Sequence, residues 1–256
     1  MIPKALREQI SKNEFLKSTA GQCPSYVQAN MLVLPSKYAN SFEEFAKQNA
    51  KALPVLEIVK DSHYTSFLAK GADLLDEIPF YDILENGAKT KTVKDIKKYY
   101  TNDLVFFMLG CSFSFESALL QNNISLRHVK EGKNVAMYKT NIKLNPVDMF
   151  KGEMVVSMRP IKKELVAKAC VVTSHFPQMH GSPIQVGYPE MIGIKDIKNP
   201  DYGDKIEIKA DEIPVFWPCG VTPQNVLEEI KLPFAISHSP GFMFVSDKKD
   251  SDFYKN

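Results

Sequence analysis

Residues 104–120 read LVFFMLGCSFSFESALL, an apolar run that breaks at a Gly-Cys pair and turns apolar again with a different period. The first half is continuously hydrophobic, as a buried strand is, and the second half has the spacing of a helix. The stretch therefore predicts a strand that passes directly into a helix, through a turn that holds Cys111, Ser112, Ser114 and Glu116.

A second stretch has the same order of features. Residues 212–230 read EIPVFWPCGVTPQNVLEEI: a strand, a turn with Cys and Gly, a hydroxyl residue and a helix. Thr222 is predicted to cap this helix, with Pro223 at the first helical position, and Ser112 or Ser114 is predicted to cap the first helix. Such turns present free N–H groups at the positive end of a helix dipole, which favours binding of a carboxylate or phosphate.

The fold class follows from the segments around these two stretches. Helical periodicity occurs at residues 3–12, 41–50, 112–121, 161–169 and 223–231. Strand-like runs occur at residues 31–35, 54–59, 80–84, 103–109, 134–138, 153–158, 205–208, 213–217 and 241–246. This mixture favours an α/β fold, with a mixed-sheet α/β layer lobe and a second, smaller α+β lobe. We predict the main lobe from residues 1–125 together with 187–256, and the smaller lobe from residues 126–186.

Composition is typical of a soluble globular protein. The 256 residues are 44% hydrophobic and 24% charged, close to the usual averages. No apolar run approaches the ~20 residues of a membrane helix. The amino-terminal segment is amphipathic and mixed in charge, unlike a signal peptide. These features predict a cytoplasmic protein without a membrane partner.

Charge and cysteine usage exclude further classes. The net charge is +2 and the basic residues are scattered, without the basic stripe of a nucleic-acid-binding protein. The four cysteines, Cys23, Cys111, Cys170 and Cys219, form no CxxC pair. We therefore expect neither a nucleic-acid partner nor a cysteine zinc site, and a reducing cytoplasm disfavours a disulfide.

Several histidines and one arginine lie at turns or strand ends where a connecting loop does not require an ionisable side chain. His180 precedes a glycine and His238 precedes a Ser-Pro-Gly turn, so we expect a function for both. His175 either caps a turn or takes part in function. Arg159 ends a buried strand, where a guanidinium requires an anionic partner. The other two histidines are expected to be exposed: His63 and His128.

Eight blocks of sequence together resemble one known family. They are GQCPSYVQAN (21–30), GCSFSFE (110–116), NVAMYKTN (134–141), VVSMRP (155–160), TSHFPQMHGSP (173–183), IGIKDIKNPDYGD (192–204), PVFWPCGVTPQ (214–224) and ISHSPG (236–241). In this order they resemble the UPF0317 (DUF1445) family of hydro-lyases, which is grouped with D-glutamate cyclase. The resemblance covers nearly the whole chain.

The resemblance implies a two-lobed cytoplasmic α/β lyase that removes water from a small amino or carboxylic acid. The best-defined activity of the family is closure of D-glutamate to 5-oxo-D-proline. The family pattern has an arginine at the position of His175, and often a histidine and an aspartate in the segment from Gln185 to Tyr188. These departures predict an altered substrate choice or a loss of activity.

Closing glutamate into a lactam needs a base for the ammonium group and an acid for the departing oxygen. We predict His238 as the base, Glu116 or His180 as the acid, and Arg159 as the partner of the α-carboxylate. The remaining candidates for substrate binding supply hydroxyl or backbone N–H groups: Ser112, Ser114, Tyr138, Thr173, Ser174, Gly181, Gly220 and Thr222. No organic cofactor is expected.

Several alternatives stay open. Cys111 or Cys219, each at a predicted helix start, could take up the γ-acyl group as a thioester. Asp196, Asp201 and Asp204 could hold a divalent metal ion or could only cap turns of a solvated loop. The protein could instead be a dehydratase of a small hydroxy acid, or a non-catalytic module that binds a carboxylic acid. A homo-oligomer also stays open.

Overall fold

The computed structural model describes residues 1–255. These residues form six α-helices: α1 Pro3–Ser11, α2 Ser36–Gln48, α3 Glu116–Gln121, α4 Arg127–Lys130, α5 Val166–Ser174 and α6 Thr222–Ile230. Their eleven strands are β1 Tyr26–Pro35, β2 Val55–Val59, β3 Tyr81–Glu85, β4 Ala88–Val93, β5 Leu104–Gly110, β6 Ala136–Lys143, β7 Glu153–Lys162, β8 Gln185–Val186, β9 Glu212–Pro218, β10 Phe234–His238 and β11 Phe244–Lys249. Within residues 1–255, no helix has the length and hydrophobicity needed to span a lipid bilayer.

The larger layer is a seven-stranded sheet in the order β2-β5-β1-β10-β3-β4, with β11 also paired to β1. Its strand pairs are antiparallel. Both faces are covered by apolar side chains, because Leu32 and Phe107 pack into one core cluster and their neighbours Val33 and Phe106 pack into another. Burial on both faces explains why residues 104–109 are continuously hydrophobic.

The smaller layer is a four-stranded antiparallel sheet in the order β6-β7-β9-β8. Helix α6 follows β9 and packs against β7. Strand β9 lies beyond the segment 126–186, so this sheet takes strands from both of the predicted lobes. The lobe boundaries themselves stay a prediction.

The predicted α/β class, with a larger and a smaller layer, is confirmed. The strand predicted at residues 205–208 is wrong: the segment is an irregular loop in which only Ile206 is buried. The carbonyl of Glu207 accepts a hydrogen bond from Arg127 Nη1 instead of a strand partner. Strand β4 escaped prediction because its sequence, AKTKTV, has no apolar face, as is common at an exposed sheet edge.

Candidate active site

The two strand-to-helix turns meet beside Asn30, in the middle of β1. The Asn30 side chain donates a hydrogen bond from Nδ2 to the carbonyl of Gly110 at 2.9 Å. A Cβ atom on Gly220 would collide with this side chain, and a Cβ on Gly110 would collide with the carbonyl of Gln178. Both turns therefore require glycine because of close approach. Apart from its place in a family block, nothing in the sequence marks Asn30.

The hydroxyl groups at these turns do not cap the helices, so the predicted caps are wrong. Helix α6 begins at Thr222, and neither it nor α3 has a side-chain cap within residues 1–255. Thr222 Oγ1 donates to the carbonyl of Cys219 at 2.7 Å and accepts from the N–H of Val155 at 3.1 Å. Ser114 Oγ accepts from the N–H of Gln28 at 3.0 Å. The hydroxyls thus tie the turns to buried strands, which compete with the helix ends for them.

Arg159 on β7 forms a buried ion pair with Glu116, the first residue of α3. Its Nε and Nη2 atoms donate to Oε1 of Glu116 at 2.9 Å and 2.5 Å, and the two residues are only 1% and 5% exposed. Its Nη1 donates to Ser157 Oγ and its Nη2 to Ser112 Oγ, each at 3.1 Å. The anionic partner predicted for Arg159 therefore lies inside the protein, and most guanidinium donors are already bonded.

His128 is the third member of this cluster, and its predicted exposure is wrong. It is 1% exposed, and its Nε2 lies 3.0 Å from Glu116 Oε1, which is close enough for an ion pair. The angle between the two groups does not meet the geometry of a hydrogen bond. Burial alone would raise the pKa of Glu116, but the charges of His128 and Arg159 bring it below its ordinary value of 4.5. Glu116 is therefore a carboxylate at neutral pH and holds no proton to donate.

Aromatic rings support the Arg159 guanidinium. Its central carbon lies 5.2 Å from the ring centre of Phe115 and 5.5 Å from that of Trp217, within cation–π range. The indole N–H of Trp217 donates to Thr173 Oγ1 at 3.1 Å. Thr173 thus fixes the ring under the guanidinium and acts on the site indirectly.

The two turn cysteines are buried thiols. Burial raises the pKa of Cys111 to about 12 and that of Cys219 to about 11, and the positive charge of Arg159 offsets only part of this effect. Both side chains are therefore protonated at neutral pH. Because the thiolate is the nucleophilic form, these pKa values disfavour a thioester intermediate.

The contacts of His180 leave one of its two ring nitrogens without a hydrogen-bond partner among residues 1–255. Its backbone adopts a left-handed conformation, with φ of 75°, which is uncommon for a residue other than glycine. Its Nδ1 lies 3.0 Å from the carbonyl of Lys51, so Nδ1 carries the proton and Nε2 carries the lone pair. Nε2 is buried without a hydrogen-bond partner among residues 1–255. Burial, assisted by the charge of Arg159, lowers the pKa of His180 to about 4.

A cavity of about 270 Å³ adjoins His180. Its lining also includes Lys51, Ser174 and Gly181, so two of the predicted substrate-binding residues reach it. Lys51 is exposed, and partial burial lowers its pKa. The cavity is therefore lined by His180, which is neutral, and by Lys51, which carries a positive charge.

His238 is also buried and neutral, but its contacts are different. Its Nδ1 lies 3.2 Å from both the N and O atoms of Met31, and its Nε2 has no partner among residues 1–255. Burial lowers the pKa of His238 to about 4, and the nearby charged group is Asp82. None of its side-chain hydrogen bonds within residues 1–255 is to Arg159, Glu116 or the turn cysteines.

A second cavity, of about 400 Å³, lies between the larger sheet and α6. Asp82 and Lys89 line it from the larger sheet, and Lys139 and Gln224 line it from the smaller layer. Lys139 is paired with Glu228 at 2.9 Å. This interlayer cavity contains none of the histidines.

Other predicted site residues lie apart from the Arg159 cluster. Tyr138 donates its hydroxyl to the carbonyl of Ile197 at 2.7 Å. The residues that depart from the family pattern also lie elsewhere: His175 stacks on Tyr254, and Tyr188 is 69% exposed. Gln185, the third departure, is partly buried and donates to the carbonyl of Gly187.

The aspartates of the loop 192–204 accept backbone hydrogen bonds: Asp196 caps a turn of the loop, whereas Asp201 and Asp204 tie the loop to the segment 134–139. Asp196, Asp201 and Asp204 accept hydrogen bonds from the backbone N–H groups of Lys198, Lys139 and Asn134, respectively. Within residues 1–255, no group of three or more His, Cys, Asp or Glu side chains is placed to hold a metal ion.

We expect protonation of His238 to destabilise the fold in acid. Its pKa is about 4 in the folded protein and 6.5 ordinarily, so the unfolded chain takes up the proton first as the pH falls. Between pH 7 and pH 5 this difference lowers the free energy of unfolding by about 2 kcal/mol. Urea unfolding of His238→Gln should show a loss smaller by that amount, whereas partly exposed His175→Gln should match the wild type. Equal losses in all three proteins would contradict the assignment.

Comparison with known proteins identifies the family. A family model described as D-glutamate cyclase matches residues 105–247. A "Putative hydro-lyase" from Psychrobacter arcticus is 48% identical over 98% of this chain and 96% of its own length. A protein of the same name from Natranaerobius thermophilus is 45% identical over 98% of this chain and 96% of its own.

One solved structure, a nitrogen repressor-like protein from Methanococcus jannaschii, aligns with 97% of this chain and 99% of its own, at 13% identity and a TM-score of 0.39. The relatives and the family model together define the protein as a carbon–oxygen lyase, a hydro-lyase. The chain belongs to the D-glutamate cyclase family, as its eight sequence blocks predict.

Proposed function

We propose that the protein closes D-glutamate to 5-oxo-D-proline, or a related amino acid to its own lactam, with loss of water, in the cavity beside His180. One observation carries the proposal: a single cavity of about 270 Å³ is lined by Lys51 and by His180, a residue whose imidazole is neutral and has an unpartnered Nε2 within residues 1–255. The imidazole supplies the base that the reaction requires, and the lysine supplies a partner for a substrate carboxylate.

The chemistry requires two proton transfers. The substrate ammonium group loses two protons when its nitrogen becomes the lactam N–H, and the departing γ-carboxyl oxygen gains two protons to leave as water. His180 Nε2 accepts a proton from the ammonium group and, as an imidazolium of low pKa, delivers it readily to the departing oxygen. A second transfer of the same kind, from the nitrogen of the tetrahedral intermediate to the same oxygen, completes the loss of water. One residue thereby acts as base and then as acid.

This assignment gives the Arg159–Glu116 pair a supporting role. Glu116 is held as a carboxylate, so the proton for the leaving oxygen comes from His180. The positive charge of Arg159 helps to keep His180 neutral in the resting protein and makes its imidazolium a stronger acid toward the departing oxygen. The largest acceleration comes from holding the substrate curled, because effective molarities for a well-oriented intramolecular attack reach ~10⁵ M or more.

The proposal is tested by incubating the protein with D-glutamate, with L-glutamate and, separately, with malate as a β-hydroxy acid. Proton NMR should show 5-oxoproline forming from D-glutamate. Alkene signals from malate, with glutamate unchanged, would instead support a hydroxy-acid dehydratase. No change in any of the three acids would overturn the proposed substrate class.

We expect Lys51→Met to raise the KM for D-glutamate about tenfold, because one charge-assisted contact to a carboxylate is worth roughly 1.5 kcal/mol or more. Lys139→Met is the matched control, since Lys139 lines the interlayer cavity instead. Steady-state kinetics should show a normal KM for this control. The reverse pattern would place the substrate in the interlayer cavity.

A further inference from the structure

A third cavity, of about 530 Å³, has no part in the proposed reaction. It lies between α3, α5 and the carboxy-terminal segment 249–254, and its volume is typical of a small-molecule site. Its apolar wall is formed by Ala118, Val171, Val172 and Phe176.

Asp250 is the unusual group in this cavity lining. The residue is 6% exposed, and its Oδ2 accepts a hydrogen bond from Ser117 Oγ at 2.5 Å. Its Oδ1 is buried and has no hydrogen-bond partner among residues 1–255, and none of their ion pairs includes Asp250. Burial raises the pKa of Asp250 to about 6, so the side chain is mainly ionised at pH 7.5.

The other titratable groups of this cavity leave Asp250 without a cation. Lys249 and His175 line the cavity, but His175 Nδ1 bonds to the carbonyl of Lys255 and its ring stacks on Tyr254 at 4.6 Å. The neighbouring negative charge of Asp252 adds to the raised pKa of Asp250. A buried carboxylate without a partner is costly, and a bound cation would remove that cost.

We propose that this cavity is a second ligand site, which binds a small primary amine with an apolar body. The ammonium group pairs with the carboxylate of Asp250, a residue that lines the cavity, and the apolar body packs against Val171, Val172 and Phe176. An anionic ligand is disfavoured by the same carboxylate. Because no lining residue is assigned to the reaction, binding here is measurable independently of turnover.

The test is a calorimetric titration of the full chain with benzylamine at pH 7.5, with benzyl alcohol as the neutral counterpart. We expect benzylamine to bind at least tenfold more tightly than benzyl alcohol, and Asp250→Asn to weaken benzylamine at least tenfold. Asp61→Asn, an exposed acid outside the cavity lining, is the matched control and should bind normally.

Val171→Lys is a second variant that does not touch the buried carboxyl. Val171 is 60% exposed, so the substitution leaves the core intact, and the new ammonium competes for Asp250. Benzylamine affinity should fall at least tenfold, and this variant decides the question if Asp250→Asn does not fold. The proposal would be overturned if the amine and the alcohol bind equally well, or if the wild-type Kd for benzylamine is above about 10 mM. It would also be overturned if folded Asp250→Asn or Val171→Lys keeps the wild-type affinity.

Discussion

His180→Asn is expected to lower kcat for lactam formation by about 10²- to 10⁴-fold, the usual contribution of a positioned general base. Asparagine tolerates the left-handed backbone at φ 75°, and its amide can donate to the Lys51 carbonyl as Nδ1–H does. It lacks only the basic lone pair. The loss should therefore appear in turnover and leave the structure unchanged.

Two further measurements make this result specific. Far-UV circular dichroism and urea unfolding should show that His180→Asn is folded, and the KM for D-glutamate should change much less than kcat. His238→Gln carries the competing hypothesis, because His238 is the base that the sequence predicts. An active His180→Asn beside an inactive His238→Gln would return the role of base to His238.

The sequence was sufficient to predict two places where a buried strand passes into a helix. Both stretches combine a buried apolar strand with a Gly-Cys or Cys-Gly turn, and the structure brings both turns to Asn30. Their polar contacts were not predictable in the same way. The hydroxyls of Ser114 and Thr222 could satisfy a helix end or a neighbouring strand, and local sequence cannot decide between partners distant along the chain.

The protonation states in the site depend on contacts across the fold. Glu116 looks like a first-turn carboxylate, yet Arg159 and His128, from other elements, hold it ionised. His128 stands in a polar stretch, so no periodicity predicts its burial. Glu116 is therefore a carboxylate and not the predicted acid because of partners that are distant in the sequence. These partners are visible only in the folded structure.

Hydrophobic periodicity fails to predict the secondary structure of two segments, residues 205–208 and strand β4. Residues 205–208 alternate polar and apolar side chains as a strand does, but a loop that buries Ile206 alone satisfies the same pattern. Strand β4 is the opposite case: it has no apolar pattern, but its backbone pairs with β3 and this pairing holds it in the sheet. Hydrophobic periodicity reports which side chains are buried and is silent about which backbone groups are paired.

Arg159→Met is expected to lower the free energy of unfolding by about 3–5 kcal/mol, because it leaves the buried Glu116 carboxylate without its main cationic partner. Glu116→Gln should be milder. The guanidinium keeps the hydroxyls of Ser157 and Ser112 and its two aromatic rings. The double variant should lose less stability than the sum of the single losses, since neither charge is then left alone.

The pH dependence of unfolding separates the charge effect from packing. The pKa of Glu116 lies below 4.5 in the folded protein, so its stabilising contribution is present above the pKa of the unfolded chain and disappears as the pH falls through the folded value. Glu116→Gln should remove this part of the acid sensitivity in urea titrations from pH 7 to pH 3. Glu131→Gln, in an exposed pair with Lys133, should keep it.

If the single losses of Arg159→Met and Glu116→Gln simply add in the double variant, the pair is not coupled. The guanidinium would then be held by its hydroxyl and aromatic contacts alone.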